Sequence, residues 1–121
     1  MGRIVHFEIP ADDVGRAKQF YGNVLGWRFE TWDGPEAYLM AMTGENEPGI
    51  DGAIVPRSDG FQSIVNTADV ASLDEAVERV RANGGTVVEA RMPIPGVGYL
   101  AYCIDTEGNS FGLMQSDPAA A

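Results

Sequence analysis

Apolar and polar positions alternate with period two in Ile4-Val5-His6-Phe7-Glu8-Ile9, the signature of a half-buried strand. Val5, Phe7 and Ile9 form one apolar row, while Ile4, His6 and Glu8 form the opposite one. The period then changes. Val14, Ala17, Phe20, Tyr21, Val24 and Leu25 recur at three- and four-residue spacing, predicting an amphipathic helix over about 12–25 that packs on the Val5 row. Asp12 and Asp13 supply capping oxygens at its start, and Gly26 suits the left-handed residue at its end. Strands are predicted near 27–32, 36–43 and 50–56, separated by Asp33-Gly34-Pro35 and by the turn-rich 44–49.

The same order of signals then repeats, offset by about 56 residues when Gln62 is set against His6 (62 − 6 = 56). A strand near 62–68 leads into a helix over about 72–82. Ser72-Leu73-Asp74-Glu75 forms a capping box there, Leu73, Ala76, Val77 and Val80 an apolar stripe, and Asn83-Gly84-Gly85 a stop. Strands near 86–90, 98–104 and 110–115 follow, the last two joined by Asp105-Thr106-Glu107-Gly108-Asn109. Met92-Pro93-Ile94-Pro95-Gly96 is expected as a loop, because prolines lack the N–H that a central strand donates. Each half therefore reads βαβββ, and a fixed internal period of this kind governs the whole fold. The expectation is one domain over residues 1–121, with module one at about 3–56, module two at about 62–116 and residues 57–61 as the link.

Composition narrows the function. The formal charge is −10, from 18 acidic and 8 basic residues. That balance argues against nucleic-acid binding, which depends on clustered Lys and Arg to neutralise phosphates. It reads either as a solvated, soluble exterior, since the acids are scattered, or as an acidic surface or cup that attracts a cationic ligand or a metal ion. No apolar run approaches the roughly 20 residues that a membrane span needs, and the N-terminus lacks signal-peptide character. The single cysteine, Cys103, forms no intrachain disulfide and reads as a buried small side chain, so a cytoplasmic location is expected.

Paired βαβββ modules, a histidine in the opening strand (His6) and the closing stretch 96–115 with its Asp-Thr-Glu-Gly-Asn turn resemble the vicinal oxygen chelate superfamily. That group includes glyoxalase I, bleomycin-resistance proteins and extradiol dioxygenases. The resemblance implies an α+β fold in which two tandem modules form a curved, cup-like mixed sheet with helices on the outer face. It also implies a homodimer and a small-molecule ligand on the inner face. Enzymes of the superfamily hold a divalent metal with side chains from the first and last strands of each module. Carried over to this sequence, His6 and Gln62 occupy the first-strand places, while Gly52 and Gly112 fall at the last-strand places and bring no donor atom. Glu8 lies on the His6 face about 7 Å along the strand. The largest metal set is thus His6, Gln62 and Glu8, poorer than a zinc or hard-cation site requires.

No cofactor is therefore expected, and the first expectation is a binding protein for a partly aromatic or cationic compound. The alternative is a metal-dependent lyase, isomerase or dioxygenase with a reduced ligand set. His6 and Glu8 are the candidates for any catalysis. Expected ligand contacts are His6, Glu8, Trp32, Tyr38, Gln62, Met92, Tyr99 and Met114, since aromatic and methionine walls with a few polar groups make small-molecule pockets.

Overall fold

The computed structural model of the protein describes residues 2–31 and 38–121. Within these, the elements run β1 (Ile4–Ala11), α1 (Val14–Leu25), β2 (Arg28–Thr31), β3 (Leu39–Met42), β4 (Gly52–Pro56), β5 (Val65–Asp69), α2 (Leu73–Ala82), β6 (Thr86–Ile94), β7 (Gly98–Ile104) and β8 (Ser110–Ser116). The fold is α+β, with βαβββ repeated twice. Two compact units emerge: His6–Val65, and Asn66–Ala121 together with the first residues up to Val5. Among the described residues no helix is long and apolar enough to cross a membrane.

In the first module the strand order is β2-β3-β4-β1, with β1 parallel to β4 and the other pairs antiparallel. Asp13 caps α1, its carboxylate accepting from the Arg16 N–H at 2.9 Å, and Gly26 ends the helix at φ 71°. The positive φ is why glycine stands there. Phe7 lies against Trp27 at 5.5 Å between ring centroids, and Trp27 stacks on Tyr21 of α1 at 5.0 Å. The Phe7 row therefore faces the helix, as the alternation predicts. The predicted apolar face of α1 is only partly used. Val14, Ala17 and Tyr21 are half-buried, whereas Phe20, Val24 and Leu25 are more than half exposed.

The second module repeats the plan in the order β5-β8-β7-β6, with β5 parallel to β8. Leu73, Ala76 and Val77 of α2 pack on Ala101, Cys103 and Leu113, and this cluster is the module's core. Ser72 accepts from the Glu75 N–H at 3.3 Å, the first half of the predicted capping box. The Glu75 carboxylate pairs with Arg79 at 3.8 Å. The next helix N–H, that of Leu73, donates to the Gln115 side chain of β8 at 2.8 Å, tying the start of the helix to the last strand.

Two sequence expectations are corrected here. The segment expected as a loop from Met92 is largely strand, because β6 is the outer strand of its module's order. An outer strand tolerates proline on its unpaired side, and Pro93 sits opposite Tyr99. The repeat offset is 59, not 56: the N-caps Asp13 and Ser72 define it (72 − 13 = 59), and the strand register agrees. Phe7 pairs with Gly52, and Asn66 pairs with Phe111, each partner also 59 residues on. The second module's first strand starts later than its sequence pattern suggested.

Candidate functional site

Strand register decides which side chains share a face. In the first module Phe7 pairs with Gly52 and faces α1, so His6, Glu8 and Ala53 fall on the side turned away from the helix. Met40 lies opposite Ala53 and joins this face, followed by Met42 and Tyr38 on the same alternation. One step back along the β1–β4 register, Asp51 stands beside His6. The face thus carries an imidazole, two carboxylates, a phenol and two half-buried methionines.

These groups interact. The His6 Nε2 lies 2.6 Å from the Tyr38 hydroxyl, with the two rings nearly coplanar at 9°. Glu8 acts electrostatically on the same hydroxyl. Glu8 is only 4% exposed. Burial drives the Tyr38 hydroxyl far above its usual pKa, and the charge of Glu8 pushes the same way. Burial pushes the His6 imidazole below 6.5, partly opposed by the negative charge of Asp51. Near neutral pH the imidazole and the phenol are therefore both uncharged.

The second module carries different residues at the equivalent places. With the offset of 59, Val65 matches His6 and Thr67 matches Glu8. The latter faces Gly112 as Glu8 faces Ala53. Thr67 is buried at 2% exposure, and its hydroxyl has no hydrogen-bond partner among the described residues. A Cβ on Gly112 would come 2.5 Å from that hydroxyl oxygen.

The expected site residues meet different fates. His6, Glu8 and Tyr38 come together. Gln62 does not occupy the place equivalent to His6. It precedes β5 in the loop between the modules, where its side-chain amide donates to the Ser58 carbonyl at 2.9 Å and its own carbonyl accepts from Arg57. Tyr99 packs against the α2 cluster with the Arg91 guanidinium 4.0 Å over its ring, on the helix side of its sheet. Met114 and Met92 both align with Leu100, on the opposite side from that cluster. Trp32 lies outside the described residues. Gly52 is glycine for packing: a Cβ there would lie 2.5 Å from the Phe7 carbonyl oxygen and 2.6 Å from its ring, on the helix side. Asp51 and Thr67 are the polar residues that sequence reasoning left out of the site. Only the parity of β4 and the true start of β5 could have revealed them.

The donor set does not fit the divalent metal that the resemblance implies. The last-strand places facing Glu8 and Thr67 are Ala53 and Gly112, and the second module's place equivalent to His6 is Val65, none with a side-chain donor. The His6 Nε2 is engaged by Tyr38. Among the described residues no three His, Cys, Asp or Glu side chains converge as a ligand group. A catalytic zinc site ordinarily takes three protein ligands.

Comparison with known proteins agrees with the fold. Residues 3–44 match a family described as bleomycin resistance protein-like N-terminal. A glyoxylase-like domain-containing protein of Didymella fabae is 29% identical, over 93% of this chain and 92% of its own length. A lactoylglutathione lyase of Salmonella typhimurium is 28% identical over 97% of this chain and 95% of its own. Among solved structures, a hypothetical protein from Bacillus halodurans superposes with a TM-score of 0.72 at 17% identity, covering 96% and 95% of the two chains. A methylmalonyl-CoA epimerase from Mycobacterium tuberculosis gives 0.69 at 16% identity, covering 95% and 88%. The repeated βαβββ plan and these relatives together make the chain similar to the vicinal oxygen chelate superfamily, the glyoxalase and bleomycin-resistance group that its sequence resembles.

Proposed function

We propose that this chain is a small-molecule-binding protein of the glyoxalase/bleomycin-resistance type, taking a partly aromatic or cationic compound on the His6–Glu8–Tyr38 face without a metal ion. Glu8 carries the reading. A carboxylate at 4% exposure is costly unless donors or positive charge answer it. The phenol of Tyr38 acts on the same group, and a cationic ligand would add positive charge beside it. Met40 and Met42 add a soft apolar wall on the same face, suited to an aromatic portion. The absent carboxylates at Ala53 and Gly112 support metal independence.

The test is a thermal-shift panel of aromatic amines, amidines and anions, run with and without a chelator. Cations are expected to raise the melting temperature equally in both conditions, by about 2.7 kcal/mol of added stability at a hundredfold excess over Kd. Glu8→Gln should abolish that rise. Stabilisation by anions alone would defeat the reading. The alternative, a metal-dependent lyase, isomerase or dioxygenase, draws support from the lactoylglutathione lyase relatives. It predicts stoichiometric divalent metal that disappears in His6→Ala and turnover of a methylglyoxal–thiol adduct. A homodimer and a cytoplasmic setting belong to the proposed reading, and sedimentation analysis tests the first.

A further inference from the structure

The stretch Asn83-Gly84-Gly85 ends α2, and it is the one place in the chain where an asparagine precedes a glycine. That dipeptide is chemically labile, because a glycine nitrogen unshielded by a side chain can reach the asparagine amide. Asn83 is exposed, at the C-cap of the helix. Its Nδ2 donates to the Arg79 carbonyl at 2.8 Å, and its backbone N–H donates to the same oxygen at 3.0 Å. A carbonyl only accepts, so the amide nitrogen of Asn83, not its oxygen, faces Arg79. The Gly84 N–H donates to the Arg81 carbonyl at 3.3 Å, and the Gly85 N–H closes the turn on Val80 at 2.9 Å. Attack needs the Asn83 Cβ and the Gly84 nitrogen on the same side of the Cα–C bond, since both enter one five-membered ring. At ψ 17° the Gly84 nitrogen instead nearly eclipses the nitrogen of Asn83 itself. The cap thus holds the nucleophile and the leaving group apart, each with a hydrogen-bond partner.

We propose that Asn83 is a self-modification site gated by the cap of α2: it deamidates when the last turn opens, and its product cannot rebuild that cap. In the step itself the Gly84 nitrogen bonds to Cγ of Asn83 and the Cγ–Nδ2 bond breaks. Ammonia leaves with the proton that Gly84 gives up. Water then opens the cyclic imide at either carbonyl, yielding aspartate or isoaspartate. The imide lacks both the Gly84 N–H and the Nδ2 donor, so two of the bonds that end the helix vanish. An aspartate at 83 is ionised at neutral pH and only accepts, so it cannot replace Nδ2 at the Arg79 carbonyl. Its charge also sits at the negative end of the helix dipole. Isoaspartate adds a methylene to the backbone of the turn. Either product leaves the end of α2 open, and refolding does not reverse the change.

The protein is aged in mildly alkaline buffer with and without denaturing urea, and the tryptic peptide 82–91 is weighed and separated over time. Conversion at Asn83 should run at least about tenfold more slowly in buffer than in urea, a ratio that corresponds to about 1.4 kcal/mol for opening the turn. Gly85→Ala places a Cβ 2.7 Å from Val80 Cγ1 and 2.9 Å from the Ile104 carbonyl oxygen, which loosens the turn. It should speed conversion in buffer and leave the rate in urea unchanged. Asn83→Asp, which makes one product directly, should raise amide exchange at Gly84 and Gly85 while β7 stays protected. Equal rates in buffer and urea overturn the gating. Absence of conversion at Asn83 in both overturns the site. Unchanged exchange at Gly84 and Gly85 in Asn83→Asp overturns the lasting loss of the cap.

Discussion

At the scale of single residues, the two glycines in the closing strands of the modules do different jobs. Gly52 admits Phe7, whose carbonyl oxygen would lie 2.5 Å from an added Cβ. Backbone cannot swing aside, so Gly52→Ala should lose about 2 kcal/mol of stability in urea unfolding, within the range for overpacked cores. Gly112 instead admits the side chain of Thr67, whose hydroxyl is buried without a partner among the described residues. Removing an unsatisfied hydroxyl while keeping its shape relieves a desolvation cost, so Thr67→Val should gain about 1 kcal/mol in the same measurement. His6 supplies a pH signature. The unfolded chain takes up a proton near 6.5, whereas burial keeps the folded imidazole neutral to a lower pH. Between those two values the unfolded state binds more protons, so stability should fall as pH drops through 6.5 and level off below the folded value. His6→Gln, which can still donate to Tyr38, should flatten that limb of a stability-versus-pH curve.

Among secondary-structure elements, the helices were readable and the strands less so. Asp13, Gly26 and Ser72 cap where their chemistry placed them, because a cap is settled by residues three or four apart. Strand limits depend on partners far along the chain. That is why β5 begins at Val65 rather than 62, and why β6 runs on through Pro93. The tie from Gln115 to the start of α2 spans 42 residues and has no sequence signal. Replacing that acceptor by Gln115→Leu should cost about 1 kcal/mol, the usual net worth of such a bond. Amide exchange localised to the first turn of α2 would register the loss, and unchanged protection there would contradict the assignment.

For the whole molecule, a formal charge of −10 on 121 residues surrounds any ligand with negative potential. Cation binding at the His6 face should therefore weaken as salt rises from about 0.01 M to about 0.15 M, over which the screening length shortens from about 30 Å to about 8 Å. Titrations of benzamidinium at the two ionic strengths measure this, and an affinity insensitive to salt would confine the attraction to short-range contacts.

The amino-acid sequence by itself determined the α+β class, the duplicated βαβββ plan, the resemblance to the vicinal oxygen chelate superfamily, and the placing of His6 and Glu8 on the face opposite Phe7. Those features follow from periodicity and capping, which act over a few residues. Only the tertiary structure decided that Tyr38, 32 residues from His6, meets its imidazole at 2.6 Å. The same holds for Gln62 giving way to Val65 and for Tyr99 turning toward α2. The physical reason is register: side chains alternate with every residue of a strand, so a slip of one position in pairing, invisible to local pattern, carries a group from one face of the sheet to the other.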